Sequence, residues 1–233
     1  MTALKNSVVL VTGGSRGIGK ALVEEAYERG AGKVYATARD PRTVTHPDAV
    51  ALPLEVTDPA SVAALAAQAP DVTVLINNAG VSTGARVLGS PLDDIRHEFE
   101  TNYYGPLLLT RAFAPVIERN GGGHLLNVHS ALSWAADGSS YSSTKAALWS
   151  QTNSLRLELR PRGIEVTGLH MAYVDTDMTS GVDAPKANAR DIAVAALDGV
   201  ESGAHEVLGD DTTRWVKSVL SQDLASLYPQ LAG

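Results

Sequence analysis

The chain lacks cysteine entirely. It can therefore form no disulfide, no thiolate metal site and no cysteine nucleophile, and it accords with a reducing cytoplasm, where we expect it to reside. It lacks long apolar runs: none approaches the roughly 18 residues of a bilayer-spanning helix, so no membrane association is expected. It also lacks a basic excess, with 19 Lys and Arg against 26 Asp and Glu and a formal net charge of −7. A nucleic-acid partner usually demands a basic face, so a small molecule is the expected ligand. The six histidines, at 46, 97, 124, 129, 170 and 205, show no metal-ligand spacing, and solvated or packed roles are expected for them rather than a catalytic metal. No internal repeat, low-complexity tract or linker interrupts the chain.

What is present suffices for one core. With 233 residues, 44% of them hydrophobic, the chain suits a single sheet-and-helix domain over residues 1–233 and is too short for two domains of ordinary size. Continuous apolar runs at 7–12, 33–37, 50–54, 72–76, 124–128, 164–169 and 205–208 read as strands, because a parallel strand covered on both faces shows no polar alternation. The first of them runs straight into a glycine turn and lacks the small-residue cleavage pattern of a signal peptide. Helical stretches at 18–29, 59–68, 92–118, 141–159 and 190–200, with a last one at 213–227, alternate with the strands. The expected fold is α/β: a doubly wound, Rossmann-like parallel sheet of about seven strands with helices on both faces.

The first strand ends in Thr12-Gly13-Gly14-Ser15-Arg16-Gly17-Ile18-Gly19, and a helix begins inside that run. Glycines at 13, 17 and 19 allow a tight turn and a close backbone approach to a pyrophosphate, while the helix N-terminus offers N–H groups and a positive dipole end. A dinucleotide is expected there, held by Gly13, Ser15, Arg16, Gly17, Ile18 and Gly19. The next strand ends Ala36-Thr37-Ala38-Arg39, where a fold selecting NAD usually offers an acid to the ribose. Arg39 and Arg16 can instead converge on a 2′-phosphate, so NADP(H) is favoured as cofactor.

Tyr141-Ser142-Ser143-Thr144-Lys145 opens a helical stretch, which puts Tyr141 and Lys145 one turn apart on one face. A tyrosine with a pKa near ~10 needs a drop of roughly 2–3 units to work as acid and base around neutrality, and a nearby ammonium together with an oxidised nicotinamide is expected to supply much of it. Asn77-Asn78-Ala79-Gly80, Asn102 and Ser130 stand upstream, at strand ends or on a crossing helix that can face one crevice.

TGGSRGIG, NNAG, the serine, YSSTK and VDTDM, in this order, resemble the short-chain dehydrogenase/reductase family in its single-domain form, over essentially the whole chain. The resemblance implies that Tyr141 is the general acid in reduction, that Lys145 lowers its pKa and binds the nicotinamide ribose, that Ser130 hydrogen-bonds the substrate oxygen, and that Asn102 holds a proton-relay water. It further implies that Asn78, Ala79 and Gly80 line the ribose pocket, that Val174 and Thr176 hold the carboxamide, and that the chain assembles as a homodimer or homotetramer. Glu55 stands where relatives place an acid or amide near the adenine; its side chain can reach or point away, and the Val56 backbone is the firmer contact.

The chain departs from the family pattern in several places. His170-Met171-Ala172 replaces a usual Pro-Gly pair before Val174, which implies a softer nicotinamide wall. The 11 residues from Ser130 to Tyr141 (141 − 130) are fewer than in relatives, which leaves Ser133 as the alternative serine. Trp134 reads equally as substrate wall or as packing, and Trp149 as core or as dimer contact. The short segment from Thr179 to Asn188 implies an open site that tolerates bulky substrates. The leading reading is an NADP(H)-dependent carbonyl reductase or alcohol dehydrogenase acting on a small-molecule carbonyl or alcohol. A catalytically silent dinucleotide sensor and an NAD-dependent alcohol dehydrogenase are the alternatives; the first would tolerate loss of Tyr141 or Lys145, and neither is lost.

Overall fold

Side chains alternate across a strand, and here each face of the sheet meets a core of its own. In β1 (Val8–Val11) Val9 and Val11 enter one core and Leu10 the other; in β2 (Lys33–Ala38) Val34 and Ala36 oppose Tyr35. The same alternation governs β4 (Val74–Asn77) and β5 (Gly123–Val128), with Ile76 and Leu126 on the first side and Leu75 and Leu125 on the second. This is why the strands read as unbroken apolar runs. With β3 (Val50–Pro53), β6 (Ile164–His170) and β7 (Glu206–Leu208), they form one parallel sheet of seven strands in the order β3-β2-β1-β4-β5-β6-β7. The structure, a computed structural model, describes residues 2–231.

The first core lies under α1 (Gly17–Glu28) and α6 (Ala189–Ser202), which supply Leu22, Ala26, Ile192 and Leu197. The second lies under α2 (Pro59–Gln68), α4 (Gly105–Arg119) and α5 (Ser140–Leu159), which supply Leu65, Phe113, Leu155 and Leu159. Helix starts follow from local chemistry. Asp58 accepts from Ala60 N before Pro59 opens α2, Ser139 accepts from Ser142 N at α5, and Asn188 accepts from Arg190 N at α6.

Two helical readings change. The stretch at 92–118 is divided into α3 (Leu92–Phe99), a π-turn at Glu100–Tyr104, and α4; the Gly105 N–H reaches back five residues to the Glu100 carbonyl. Pro106 has no N–H for the Asn102 carbonyl in α register, and such π-turns concentrate at functional sites. The stretch at 213–227 divides into α7 (Asp211–Val219) and α8 (Leu224–Leu227), because Asp223 accepts from Ala225 N and caps a fresh turn.

The strand order reverses between β1 and β4, whose carboxyl ends lie side by side. A crevice opens at such a switch point, and the site lies there.

Candidate active site

A cleft of about 340 Å³ runs over the carboxyl ends of the strands. Its walls include Gly13, Ser15, Arg16, Gly17, Ile18 and Gly19 from the turn after β1, Arg39 at the end of β2, Glu55 and Val56 after β3, Asn78, Ala79 and Gly80 after β4, Tyr141 and Lys145 from α5, and Thr176 after β6. The phosphate turn and the Tyr-Lys pair, 122 residues apart from Gly19 to Tyr141 (141 − 19), thus face one space.

The turn is shaped by backbone needs. Gly13 and Gly17 hold φ of 66° and 53°, in the region that disfavours a β-carbon. A β-carbon on Gly19 would lie 2.0 Å from the Gly13 carbonyl oxygen, so helix and turn pack with no side chain between them. Asn78 ties the two strand ends together: its Nδ2 donates to the Thr12 carbonyl at 2.8 Å, and Thr12 Oγ1 accepts from Asn78 N at 2.9 Å and Ala79 N at 3.0 Å. No side chain caps α1 at Arg16, and its first turn carries no acid. The N–H groups and dipole of that helix end are therefore open to an anion.

Arg16 and Arg39 both border the cleft, in different states. Arg16 pairs with Asp177 at 2.9 Å across the cleft mouth, with both side chains well exposed, so the pair adds little stability. Arg39 is exposed and has no protein partner among the described residues. The acid after it, Asp40, is turned away from the cleft onto Arg42, whose Nη2 donates to it at 2.8 Å. The Glu55 carboxylate bends back to accept from Thr57 Oγ1 at 2.9 Å, leaving its backbone and that of Val56 along the wall.

Lys145 is buried, and its Nζ donates to the Val128 carbonyl at 2.8 Å. Burial pushes its pKa down to about 8. Its Nζ lies 5.5 Å from the centre of the half-buried Tyr141 ring. Tyr141 itself is pushed above the ordinary tyrosine range, first by burial and then by the carboxylates of Glu98 and Asp137. In this state Tyr141 is a phenol. The lowering implied by the resemblance is not produced by Lys145 alone, since the ammonium is outweighed by lost hydration and two carboxylates.

Three expected site residues are not among those that line the cleft. Asn102, on the π-turn and 1% exposed, accepts from Val81 N at 2.9 Å and donates to the Val81 carbonyl at 2.8 Å and Thr144 Oγ1 at 3.1 Å. Ser130 lies two residues beyond β5, where it caps a short turn and accepts from Leu132 N at 3.1 Å, while Ser133 Oγ accepts from Ser130 N at 3.3 Å. The hydroxyl proton of Ser130 is not used in that cap. Val174 is buried in the core beneath Thr176.

The wall also holds residues that the motifs do not name, among them Thr37, Val81, His97, Thr101, Val128 and His129. Several follow strand carboxyl ends, a positional signal that a doubly wound fold offers without any motif. Met171 lines the wall too, and the Pro-Gly replacement is pinned: the Met171 carbonyl accepts from Ala131 N and the His170 carbonyl from Gly209 N, each at 2.7 Å, and Ala172 N donates to Asp210 at 2.6 Å. Trp134 packs flat on His170 at 3.9 Å, has the Lys217 ammonium 4.4 Å from its ring centre, and is not on the cleft wall. Trp149 meets it edge-on and donates to Glu206 at 2.8 Å.

Comparison with known proteins agrees with this geometry. A family model described as short chain dehydrogenase matches residues 7–187. A crystal structure of a short chain dehydrogenase from Burkholderia cenocepacia J2315 in complex with NADP is 35% identical, covers 100% of both chains and superposes with a TM-score of 0.94. The 1-deoxy-11-beta-hydroxypentalenate dehydrogenase of Streptomyces exfoliatus is 33% identical over 89% of this chain and 82% of its own. A short chain dehydrogenase/reductase from Burkholderia phymatum in complex with NAD shares the fold with a TM-score of 0.83 at 22% identity, covering 94% of this chain and 96% of its own.

Proposed function

The chain belongs to the short-chain dehydrogenase family, and from that premise we propose that it is an NADP(H)-dependent oxidoreductase that moves a hydride between the cofactor and a carbonyl or hydroxyl carbon. The observation that carries this reading is that Tyr141 and Lys145 border the same cleft as the glycine turn from Gly13 to Gly19.

The residues present fit a dinucleotide. The uncapped start of α1 and the absence of space for a side chain at Gly19 suit a pyrophosphate. The unpartnered Arg39, with Asp40 occupied by Arg42, suits a 2′-phosphate better than a bare ribose. In this reading Arg16 joins Arg39, Asn78 to Gly80 and Lys145 hold the nicotinamide ribose, Glu55 and Val56 border the adenine, and Val174 and Thr176 hold the carboxamide. When bound, the nicotinamide supplies or accepts the hydride.

The chain's own residues handle the proton and the charge. Tyr141, a phenol in this structure, gives its hydroxyl proton to the substrate oxygen as that oxygen becomes an alkoxide. Ser130, whose hydroxyl proton is free of its cap, donates to the same oxygen. Lys145 spends one N–H on Val128 and keeps two for ribose hydroxyls, and its positive charge favours the phenolate when Tyr141 gives up its proton.

The test is loss of NADPH absorbance against a panel of ketones and aldehydes, with NADH in parallel. Tyr141→Phe is expected to keep NADPH binding, read as a ligand-induced rise in Tm, and to lower kcat by about a thousandfold or more. Unchanged turnover in that variant would remove Tyr141 from the mechanism.

A further inference from the structure

Glu98, on α3, is a carboxylate with 0% exposure, a state that a charged side chain keeps only when its oxygens are well hydrogen-bonded. Its Oε1 accepts from Thr83 N at 2.7 Å and from Thr83 Oγ1 at 2.9 Å, and its Oε2 accepts from Ser140 Oγ at 2.5 Å. Thr83 lies in the loop after β4, and Ser140 is the first residue of α5, immediately before Tyr141.

Four residues further along, Asn102 makes a matching link, from Val81 in the same loop to Thr144 in the same helix. Residues 98 and 102 therefore bridge loop positions 83 and 81 to helix positions 140 and 144. Tyr141 stands between the two points at which α5 is held.

We propose that Glu98 is a positioning residue, the outer of two clamps that fix the Tyr141-bearing turn of α5 against the β4–α3 loop, and that it acts there as a buried charge as well as a bridge. The proposal rests on the reading of Tyr141 as proton donor. A glutamine has nearly the same shape and can bridge the same partners without burying a charge, and neutral replacements of buried ions are often no less stable. A clamp alone would not need the charge.

Groups that bear on Tyr141 come from three elements: Glu98 on α3, Asp137 in the loop before α5, and Lys145 on α5 itself. The two carboxylates favour the phenol, and the ammonium favours the phenolate. Glu98 is thus the counterweight that keeps a proton on Tyr141 until the substrate oxygen takes it. His129, beside Lys145, is held neutral by burial and adds no charge to this balance.

The experiment titrates Tyr141 in the full chain with NADP⁺ bound, by its near-ultraviolet phenolate band, with Tyr141→Phe as the subtracted background. Glu98→Gln is expected to move the titration about one unit toward lower pH, and Glu98→Asp, which keeps the charge, is expected to restore it. A folded Glu98→Gln protein whose titration has not moved overturns the proposal. Ser140→Ala breaks the clamp while keeping the charge; it is expected to lower kcat about tenfold at every pH and to leave the titration in place. Should Glu98→Gln not fold, an unchanged kcat in Ser140→Ala overturns the clamp. The titration needs no turnover, so a chain inactive toward every carbonyl would defeat the proposed function while leaving the Glu98 result to stand or fall by itself.

Discussion

Arg39 sits exposed at the end of β2 with no protein partner among the described residues, and this freedom makes its contribution measurable. Arg16 is partly committed to Asp177, so Arg39 is the cation able to engage a 2′-phosphate without breaking an existing bond. A charge-assisted hydrogen bond is worth about 1.5–3 kcal/mol, or roughly 10- to 100-fold in an equilibrium constant. Arg39→Ala is therefore expected to raise the KM for NADPH by about that factor and to leave the KM for NADH nearly unchanged; equal losses for both cofactors would deny Arg39 a role at the phosphate. The residues legible in the sequence were those whose chemistry is tied to type and spacing: glycines at a turn, a Tyr and Lys one helical turn apart, an arginine where an acid is usual. Glu98 was not legible, because a charged residue in Asp93-Asp94-Ile95-Arg96-His97-Glu98 reads as part of a solvated helix face. Its burial and its hydrogen bonds to Thr83 and Ser140 are tertiary, set by parts of the chain distant in sequence.

At the scale of elements, the sequence from Leu92 to Glu118 carries an unbroken helical pattern, and the π-turn at Glu100–Tyr104 left no trace in that periodicity. Its partners are tertiary: Asn102 holds Val81 on one side and Thr144 on the other, and Pro106 removes one α-register donor. Asn102→Ala would strand the Val81 N–H and C=O and the Thr144 hydroxyl bond in a largely buried place. Leaving such groups unpaired costs about 1–3 kcal/mol, so the urea midpoint is expected to fall by that equivalent with an unchanged slope. Unaltered stability would mean that the β4–α3 loop holds its shape without Asn102. The His170-Met171-Ala172 segment shows the same limit of local reading. A stretch without its usual Pro-Gly pair implied a soft wall, yet hydrogen bonds donated by Ala131 N and Gly209 N and accepted by the Asp210 carboxylate hold its backbone.

At the scale of the whole molecule, the strands were legible because both faces of the sheet are covered, and the doubly wound order followed from alternation with helices. What pattern reading could not reach was how the middle of the sheet treats its histidines. His124 and His129 on or beside β5 and His170 on β6 are 0%, 1% and 0% exposed. Burial lowers the pKa of His124 from 6.5 to about 4, with Glu165 opposing the shift. Burial likewise holds His129 well below its ordinary range, helped by the charges of Lys145 and Arg156, and lowers His170 against the pull of Glu206. Each ring is neutral in the folded chain and takes a proton near 6.5 in the unfolded one. Between those pH values the unfolded state binds more protons, so stability falls as pH drops from about 6.5 toward 4 and is unaffected by these groups above that window. His124 alone accounts for about 3 kcal/mol across the full window and about 2 kcal/mol by about pH 5. Urea unfolding at about pH 7 and about pH 5 is expected to show a loss at least that large, and His124→Gln to make the dependence on pH shallower by the His124 share. A flat profile through the window would mean that the sheet accommodates imidazolium at these sites, against the burial that surrounds all three rings.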